Sequence, residues 1–427
     1  MVEVLGEEKK TNIKKFSYTL FFLSSAVFLS LQPICFLSEI IGIEKFINTD
    51  AIFLLSAILG LLGSSIALIG IIIDKKYTLN KKILKENFEI GFLIFSIFWT
   101  LLATIFAIKQ DVVWLGNSYN KEGFLSILGY GAIAISAYQM DGKDRKKLLK
   151  LFILASTIPA TFLFFVNIFC IKTPISPTRS IYRNSNHYGY ALCVLIVLSA
   201  CFITYDKKRW QRLLYGYCFT VLHANLLVTD CFGAHVGELA GLGVLVLIRI
   251  IEEKKLKATV LLIIGLLAAS TTILELTKIT NISDDYHVIF NDLWGIASGG
   301  ATGNEGSSRF KLWEQTLKII IQVPFFGKGL DCYYNNNLFM NIDMPHNEYI
   351  QIASNVGIPV LICYLAFLVT VYVKAIKGRK QLCQTQKIAL IGGVAYLTSA
   401  LFGNTFLYTY PILIIMIAFG YKRKKTC

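Results

Sequence analysis

Residues 345–349 read Pro-His-Asn-Glu-Tyr and stand directly before a long apolar run. Proline is favoured in the first turn of a helix, so Pro345 predicts that His346 lies near a helix N-terminus. The positive end of the helix dipole disfavours a protonated imidazole, and a neutral imidazole can accept a proton as a general base. Asn347 and Glu348 follow as candidates for orienting the group that gives up this proton. A histidine in an interfacial belt, without a chemical role, is the alternative.

A second candidate is Arg309, which is followed by Lys311 at the start of a predicted helix over residues 308–321 with Ser308 as its N-cap. The helix is predicted from apolar residues at helical spacing, which are Phe310, Trp313, Leu317 and Ile320. A guanidinium fork binds phosphate through two hydrogen bonds, and free N–H groups at a helix start add donors for the same anion. The alternative is an arginine that only anchors an amphipathic helix to lipid headgroups.

A third candidate lies in the segment 172–187, which is basic where the predicted topology disfavours basic residues. Its polar residues are Lys172, Arg179, Arg183, Asn184, Asn186 and His187. Arg183, which is close to the next apolar run, is predicted to be a second contact for an anion. A solvated loop without a binding role is the alternative.

His235 and Glu238 are three residues apart, so they share one face of a predicted membrane helix that follows Asp230. Ionisable residues inside membrane spans are costly and tend to be functional. The pair is predicted to line an acceptor site or a proton path. A hydrogen-bonded pair that only locks two helices together is the alternative.

Other chemical motifs are absent from the sequence. There is no GxxxxGK[ST] phosphate loop, which argues against ATP hydrolysis, and no CxxC pair. Asp284 and Asp285 with His287 offer metal-ligand types, but an acidic pair in a polar loop is more often plain surface. We therefore predict a site with no metal and no cofactor.

The elements that must position these residues are apolar helices. Of the 427 residues, 55% are hydrophobic and only 16% are charged, against about 25% in typical soluble domains. Apolar runs of about 20 residues, the length of a membrane-spanning helix, recur from end to end. The sequence predicts an all-α, polytopic integral membrane protein with about twelve spans, at 16–38, 51–73, 89–109, 123–140, 148–171, 187–204, 210–229, 232–251, 258–276, 350–375, 387–403 and 405–421.

The net charge of +15 comes from short Lys and Arg clusters between these runs, which indicates topology rather than nucleic-acid binding. With twelve spans every cluster falls on one side, which the positive-inside rule assigns to the cytoplasm. The sequence therefore predicts a multi-pass protein of the cytoplasmic membrane with both termini inside and the candidate site outside.

Residues 277–349 form the one long segment of low hydrophobicity, and they would then lie outside. Their aromatic residues and predicted helix indicate an ordered loop with short amphipathic helices. The predicted organisation is a membrane unit at 1–276, an external catalytic loop at 277–349 and a second membrane unit at 350–427.

The residues from Arg309 to Gly357 resemble the O-antigen ligase and polymerase family of bacterial membrane glycosyltransferases. The resemblance is carried by three stretches in this order: Ser308-Arg309-Phe310-Lys311-Leu312-Trp313, Pro324-Phe325-Phe326-Gly327-Lys328-Gly329, and His346-Asn347-Glu348-Tyr349-Ile350 with Gly357. Many relatives carry a basic residue at the outer start of the predicted helix 232–251, whereas this chain reads Asp-Cys-Phe-Gly-Ala-His over 230–235.

The resemblance implies transfer of a glycan from an undecaprenyl-diphosphate carrier to a growing polysaccharide or a surface acceptor. It implies that His346 is the base or acceptor-orienting residue, and that Arg309, Arg183 and Lys311 bind the diphosphate. Two arginines in place of a divalent metal imply transfer that needs no metal, and direct displacement by a base-activated hydroxyl implies inversion at the anomeric carbon. The other partners implied are the lipid bilayer, a flippase and a chain-length regulator.

Two other functions remain open at this point. About twelve helices with both ends inside also suit a multi-pass transporter or flippase for a lipid-linked or anionic substrate, although the chain shows no convincing internal repeat. An inactive scaffold of a polysaccharide-assembly complex is the other alternative.

Overall fold

A computed structural model describes residues 2–35, 49–74, 87–118, 120–169, 180–182, 184–229, 231–252, 256–277, 298, 309–332 and 344–421. Within these ranges all regular structure is helical, which confirms the predicted all-α class. The α-helices there are α1 Val2–Ala26, α2 Thr49–Asp74, α3 Glu89–Ile105, α4 Gln110–Val113, α5 Phe124–Gln139, α6 Gly142–Ile168, α7 Ser185–Tyr205, α8 Arg209–Val228, α9 Phe232–Ile251, α10 Leu256–Thr277, α11 Arg309–Gln322, α12 Glu348–Val356, α13 Ile358–Lys377, α14 Gln384–Ser399 and α15 Tyr410–Gly420.

Six helical stretches of the described chain are long and apolar enough to cross a membrane, namely Thr11–Cys35, Asp50–Ile69, Gly142–Asn167, Ser185–Tyr205, Phe232–Ile251 and Ile358–Lys377. Shorter apolar helices lie at Glu89–Ile105, Phe124–Gln139, Val260–Ile273 and Tyr410–Gly420. The membrane class is thus supported, while the count of about twelve spans and the three-part division of the chain stay predictions.

Helix α7 forms the centre of the bundle. Every residue from His187 to Ile203 is buried, and α7 packs against α8, α9 and α14. Its apolar residues do not follow a one-sided pattern, as expected for a helix surrounded by other helices. Its first turn therefore lies deep in protein at one end of the bundle.

Charged side chains at the other end of the bundle are tied to each other. Asp206, just after α7, accepts a hydrogen bond from Lys150 at 2.6 Å, and Glu252, just after α9, accepts one from Lys387 at 2.6 Å. Lys374 in the last turn of α13 donates to Glu89 at the start of α3 at 2.5 Å. Lys374 belongs to one of the basic clusters on which the predicted topology rests, and Lys150 and Lys387 lie at the same end of the described helices.

The predicted span 350–375 is wrong as a single helix. It is two helices, α12 and α13, separated at Gly357, which has φ +94° and ψ 163°. The N–H of Ile358, freed by the break, donates to the carbonyl oxygen of Pro324 at 2.8 Å. Hydropathy misses the break because the sequence is apolar both before and after Gly357.

The turn that follows α11 fills this break. The N–H groups of Lys328 and Gly329 donate to the carbonyl oxygens of Ser354 and Asn355 at 2.7 and 2.9 Å. Trp99 of α3 adds an indole hydrogen bond to the Phe325 carbonyl at 2.8 Å. The Pro-x-x-Gly-x-Gly stretch of the sequence is therefore the element that fixes the end of α11 against the membrane helices.

The last predicted spans, 387–403 and 405–421, also differ from the structure. The helices are α14, which ends at Ser399, and α15, which begins only at Tyr410. Between them a 3₁₀ turn at Ala400–Phe402 and an irregular stretch carry polar residues to the end of the bundle where α7 and α9 begin.

We expect Gly357→Ala to lower the thermal stability of the purified protein. An added Cβ would lie 2.0 Å from the Phe325 carbonyl oxygen, and this backbone conformation costs a side-chain-bearing residue about 1–3 kcal/mol. Gly216→Ala in α8 is the matched control, because nothing lies within 4 Å of its added Cβ. Equal unfolding temperatures for both variants in the same detergent would contradict the role given to the break.

Candidate active site

The turn of His346 precedes α12 and is held in an unusual backbone conformation. Its φ is +50°, in the left-handed region that few non-glycine residues adopt. Asn347 caps α12, since its side-chain oxygen accepts from the N–H groups of Tyr349 and Ile350 at 3.1 Å each. His346 is therefore next to a helix start, as predicted. Pro345, however, lies outside the helix rather than in its first turn.

Trp313 connects this turn to α11. Its indole N–H donates to the Pro345 carbonyl oxygen at 3.0 Å, and its ring packs against Phe310 at 5.1 Å and Phe402 at 6.3 Å between centroids. The predicted helix 308–321 is confirmed as α11, residues 309–322, although Ser308, its predicted cap, lies outside the described residues. Because one tryptophan holds both segments, α11 and the histidine turn form one unit.

The buried face of α11 differs from the predicted one. The structure buries Leu312, Thr316, Ile319 and Ile320, whereas Leu317 is 49% exposed. Leu312 and Ile319 pack with Val323, which lies just after the helix. The predicted apolar stripe passed through Leu317 because spacing within the helix does not show this contact.

Arg309 and His346 are brought within electrostatic range of each other. Burial, and secondly the Arg309 charge, lower the pKa of His346 to about 4. The imidazole is consequently uncharged at neutral pH, which agrees with the sequence-based expectation. The cause differs, because desolvation and a neighbouring guanidinium act here, whereas the sequence argument relied on the helix dipole.

Asn404 contacts the same imidazole from the stretch between α14 and α15. Its side-chain Nδ2 lies 3.3 Å from His346 Nδ1, and its Oδ1 is buried with no hydrogen-bond partner among the described residues. Sequence reasoning missed Asn404 because it treated residues 387–403 and 405–421 as a tight pair of spans with no functional stretch between them.

A second histidine, His187, approaches His346 from the first turn of α7. Its Nδ1 lies 3.2 Å from the Tyr408 hydroxyl, its ring packs 4.1 Å from that of Phe406, and it interacts electrostatically with His346. The sequence analysis included His187 in a basic segment but gave it no role. Its position at a helix start, like that of His346, was the available signal.

Glu348 is directed elsewhere. Its carboxyl is fully buried and accepts a hydrogen bond from the Tyr364 hydroxyl of α13 at 2.8 Å. Its second oxygen has no partner in the described part of the chain. Burial raises its pKa to about 7. The predicted role of Asn347 and Glu348 in orienting an acceptor remains a prediction, since the structure shows Asn347 as a helix cap and Glu348 bonded to a tyrosine.

His235 and Glu238 belong to a second cluster that includes His223 of α8, which the sequence analysis did not single out. Nδ1 of His235 lies 3.8 Å from Glu238 Oε2, and Nδ1 of His223 lies 2.9 Å from Oε1. The closer pair is not aligned as a hydrogen bond. Because the cluster joins α8 to α9, the arrangement suits the helix-locking alternative, and the acceptor role of His235 and Glu238 stays a prediction.

The remaining predicted residues are less defined. Lys311 is half-buried on α11, two residues after Arg309. Several residues singled out in the sequence lie outside the described part of the chain, namely Lys172, Arg179, Arg183, Asp230, Asp284, Asp285 and His287. Binding of a diphosphate by Arg183 and Lys311 therefore stays a prediction, as does the absence of a metal.

The sequence is similar to known proteins over the segment that contains the candidate site. Residues 218–365 match the model of the O-antigen ligase family, and this segment contains both Arg309 and His346. The chain is also similar to an uncharacterised protein of Haemophilus influenzae, with 22% identity over 270 residues. That alignment covers 57% of this chain and spans 66% of the relative's own length.

The matched segment contains all three stretches that carry the sequence resemblance, and it extends through the break at Gly357. It begins within α8, includes α9 to α12 and ends within α13. The match over residues 218–365 confirms the resemblance to the O-antigen ligase family seen in the sequence.

Proposed function

We propose that this protein transfers a glycan from an undecaprenyl-diphosphate carrier to an acceptor hydroxyl at the outer face of the cytoplasmic membrane. The acceptor would be a growing polysaccharide chain, as for a polymerase, or a surface glycolipid, as for an O-antigen ligase. The observation that carries the proposal is the buried imidazole of His346, which lies within electrostatic range of the Arg309 guanidinium and is uncharged at neutral pH. The family match supports the reaction type.

In the proposed reaction the acceptor hydroxyl gives its proton to His346 while its oxygen attacks the anomeric carbon of the donor sugar. The bond from that carbon to the diphosphate oxygen breaks, and the electron pair leaves with undecaprenyl diphosphate. The products are the new glycoside and the free carrier. Because one displacement makes and breaks the bonds on opposite faces of the sugar, the anomeric configuration inverts.

Negative charge grows on the leaving diphosphate, and Arg309 would stabilise it. Arg309 is the first residue of α11, where the first N–H groups have no partner within the helix and the helix dipole has its positive end, and both favour an anion. One preorganised donor of this kind stabilises a transition state by about 3–4 kcal/mol. Lys311, and Arg183 from the segment before α7, would supply further positive charge.

The base requires a free nitrogen lone pair. If the Asn404 side-chain oxygen faces the ring, Nδ1–H of His346 donates to it and Nε2 is left to accept the acceptor's proton. This requires the Asn404 amide to be flipped, so that its Oδ1 rather than its Nδ2 faces His346 Nδ1. The left-handed turn at His346 and its contact with Asn404 would hold the ring in this position.

The distribution of charge supports the proposed outer location of the site. The candidate site lies where α7, α9 and α12 begin, and the paired lysines lie at the opposite end of the bundle. The positive-inside rule assigns the lysine end to the cytoplasm. A flippase that delivers the donor and a chain-length regulator are the partners that such a reaction would need.

We expect His346→Ala and Arg309→Ala to lower the transfer rate, by about 10²–10⁴-fold for the base and about 10²–10³-fold for the arginine. The rate is measured with purified protein, a lipid-diphosphate-linked oligosaccharide and a chelator, because the proposed chemistry uses no metal. Lys318→Ala is the matched control, since Lys318 is exposed on the same helix and pairs only with the exposed Glu314 in the described structure. Wild-type rates from both alanine variants would refute the proposal. It would also be refuted if the chelator abolished the activity of the wild-type protein and Mg²⁺ or Mn²⁺ restored it.

We expect Asn404→Asp to move the acid limb of the pH–rate profile to higher pH, while Asn404→Leu lowers the rate at every pH. A carboxylate beside Nδ1 favours the imidazolium, so the pKa of His346 rises and the base is lost at a higher pH than in the wild type. The leucine variant removes the contact without adding charge. Unchanged acid limbs in both variants, with wild-type rates, would show that Asn404 does not position the base.

A further inference from the structure

A furrow of about 410 Å³ runs between α3, α5, α13 and α15. Along α5 it extends from Ile127 to Tyr138, which is about 17 Å at 1.5 Å per residue. It ends towards the lysine end of the bundle at Tyr421, whose hydroxyl donates to Glu89 and lies 3.0 Å from Asn87 Oδ1. Its length and direction follow the membrane helices.

The walls of the furrow are mostly aliphatic and aromatic. They include Leu93 and Ile97 of α3, Phe367 of α13, and Leu413 of α15. Among the described residues that line it there is no lysine, arginine or histidine, and the one carboxyl is that of Glu122. Such a wall favours a hydrocarbon chain, because every buried methylene adds favourable transfer free energy.

The other end of the furrow adjoins the candidate active site. Gln351 and Thr405 line it there, and the Thr405 N–H donates to Gln351 Oε1 at 2.9 Å. Thr405 directly follows Asn404, whose side chain contacts His346. A chain in the furrow would therefore bring its head close to the imidazole.

The charges at this end do not suit a diphosphate. Glu122 accepts a hydrogen bond from Tyr130 at 2.5 Å, and burial, with Asp331 and Glu348 nearby, raises its pKa to about 8. It is therefore mostly protonated at neutral pH, and a protonated carboxyl can donate to a neutral hydroxyl. A diphosphate placed here would add negative charge beside three carboxyl groups. Arg309 does not line the furrow and instead interacts electrostatically with His346 and with Tyr190 of α7.

We propose that this furrow binds the hydrocarbon chain of a lipid-anchored acceptor whose head group at the furrow's end is an uncharged sugar. Glu122 would bind a hydroxyl of that sugar, and the acceptor would reach His346 from the furrow while the diphosphate donor reaches it from α11. The assignment as acceptor rests on the proposed function, but the binding site itself does not. No anionic lipid is expected to occupy the furrow with its phosphate at Glu122.

The test is photo-crosslinking of the full protein in lipid nanodiscs with two probes. One is an alkyl glucoside with a diazirine in its chain, and the other is a polyprenyl diphosphate with a diazirine in its tail. The glucoside is expected to label α5 and α15. Labelling should fall about tenfold in Gly131→Phe, because the phenyl ring would displace about two methylenes of the probe's alkyl chain from the furrow.

Gly131 is suited to this purpose because it lines the furrow and nothing lies within 4 Å of an added Cβ. Gly216→Phe on α8 is the matched control, since that site is equally open and is not part of the furrow. Ala134→Trp, also in the furrow wall, is a second blocking variant should Gly131→Phe lower the unfolding temperature.

Glucoside labelling that both blocking variants abolish and the control retains supports the site. Labelling of the furrow by the diphosphate probe, lost in the same variants, would instead make it a site for the donor's tail and overturn the proposal. Equal glucoside labelling in all variants would reduce the furrow to ordinary bilayer contact. His346→Ala should leave labelling intact, so failure of the furrow and failure of the proposed reaction are distinguished.

Discussion

The hydrogen bond from the Trp313 indole to the Pro345 carbonyl oxygen joins the helix that carries Arg309 to the turn that carries His346. The two residues are 37 positions apart in the sequence, so their spacing alone does not bring the cation to the imidazole. The aromatic contacts of Trp313 with Phe310 and Phe402 desolvate this hydrogen bond and hold it in place. A tryptophan rather than another aromatic residue is required there, because its ring fills space while its N–H satisfies a backbone carbonyl.

The second constraint is the break between α12 and α13. A continuous helix would leave no free N–H at Ile358 for Pro324 and no space for the Phe325 carbonyl. The break at Gly357 therefore fixes the C-terminal end of α11, while Trp313 fixes the N-terminal part of this helix. With both ends fixed, the proposed reaction would find the guanidinium and the imidazole already in position, as electrostatic stabilisation of a transition state requires.

The sequence predicted the helical membrane class, the helix that begins at Arg309 and the proximity of His346 to a helix start. These features are local: apolar runs, helical spacing and cap residues determine them. The break at Gly357 depends on the turn at Phe325, 32 residues earlier in the chain, so periodicity along α12 and α13 could not reveal it. Asn404 and His187 were missed for the same reason, because their roles arise only when α7 and the stretch after α14 pack beside the histidine turn. His223 joins His235 and Glu238 through contact between α8 and α9, which no spacing within either helix encodes.

The account depends on an imidazole that stays uncharged beside a guanidinium. The chain has five histidines, and nitrogen NMR of protein labelled at histidine can assign His346 from the signal missing in His346→Gln. The account predicts that His346 titrates with a pKa of about 4 and that Arg309→Gln raises this pKa. A His346 pKa near the ordinary value of about 6.5, unchanged by removal of Arg309, would contradict the central claim.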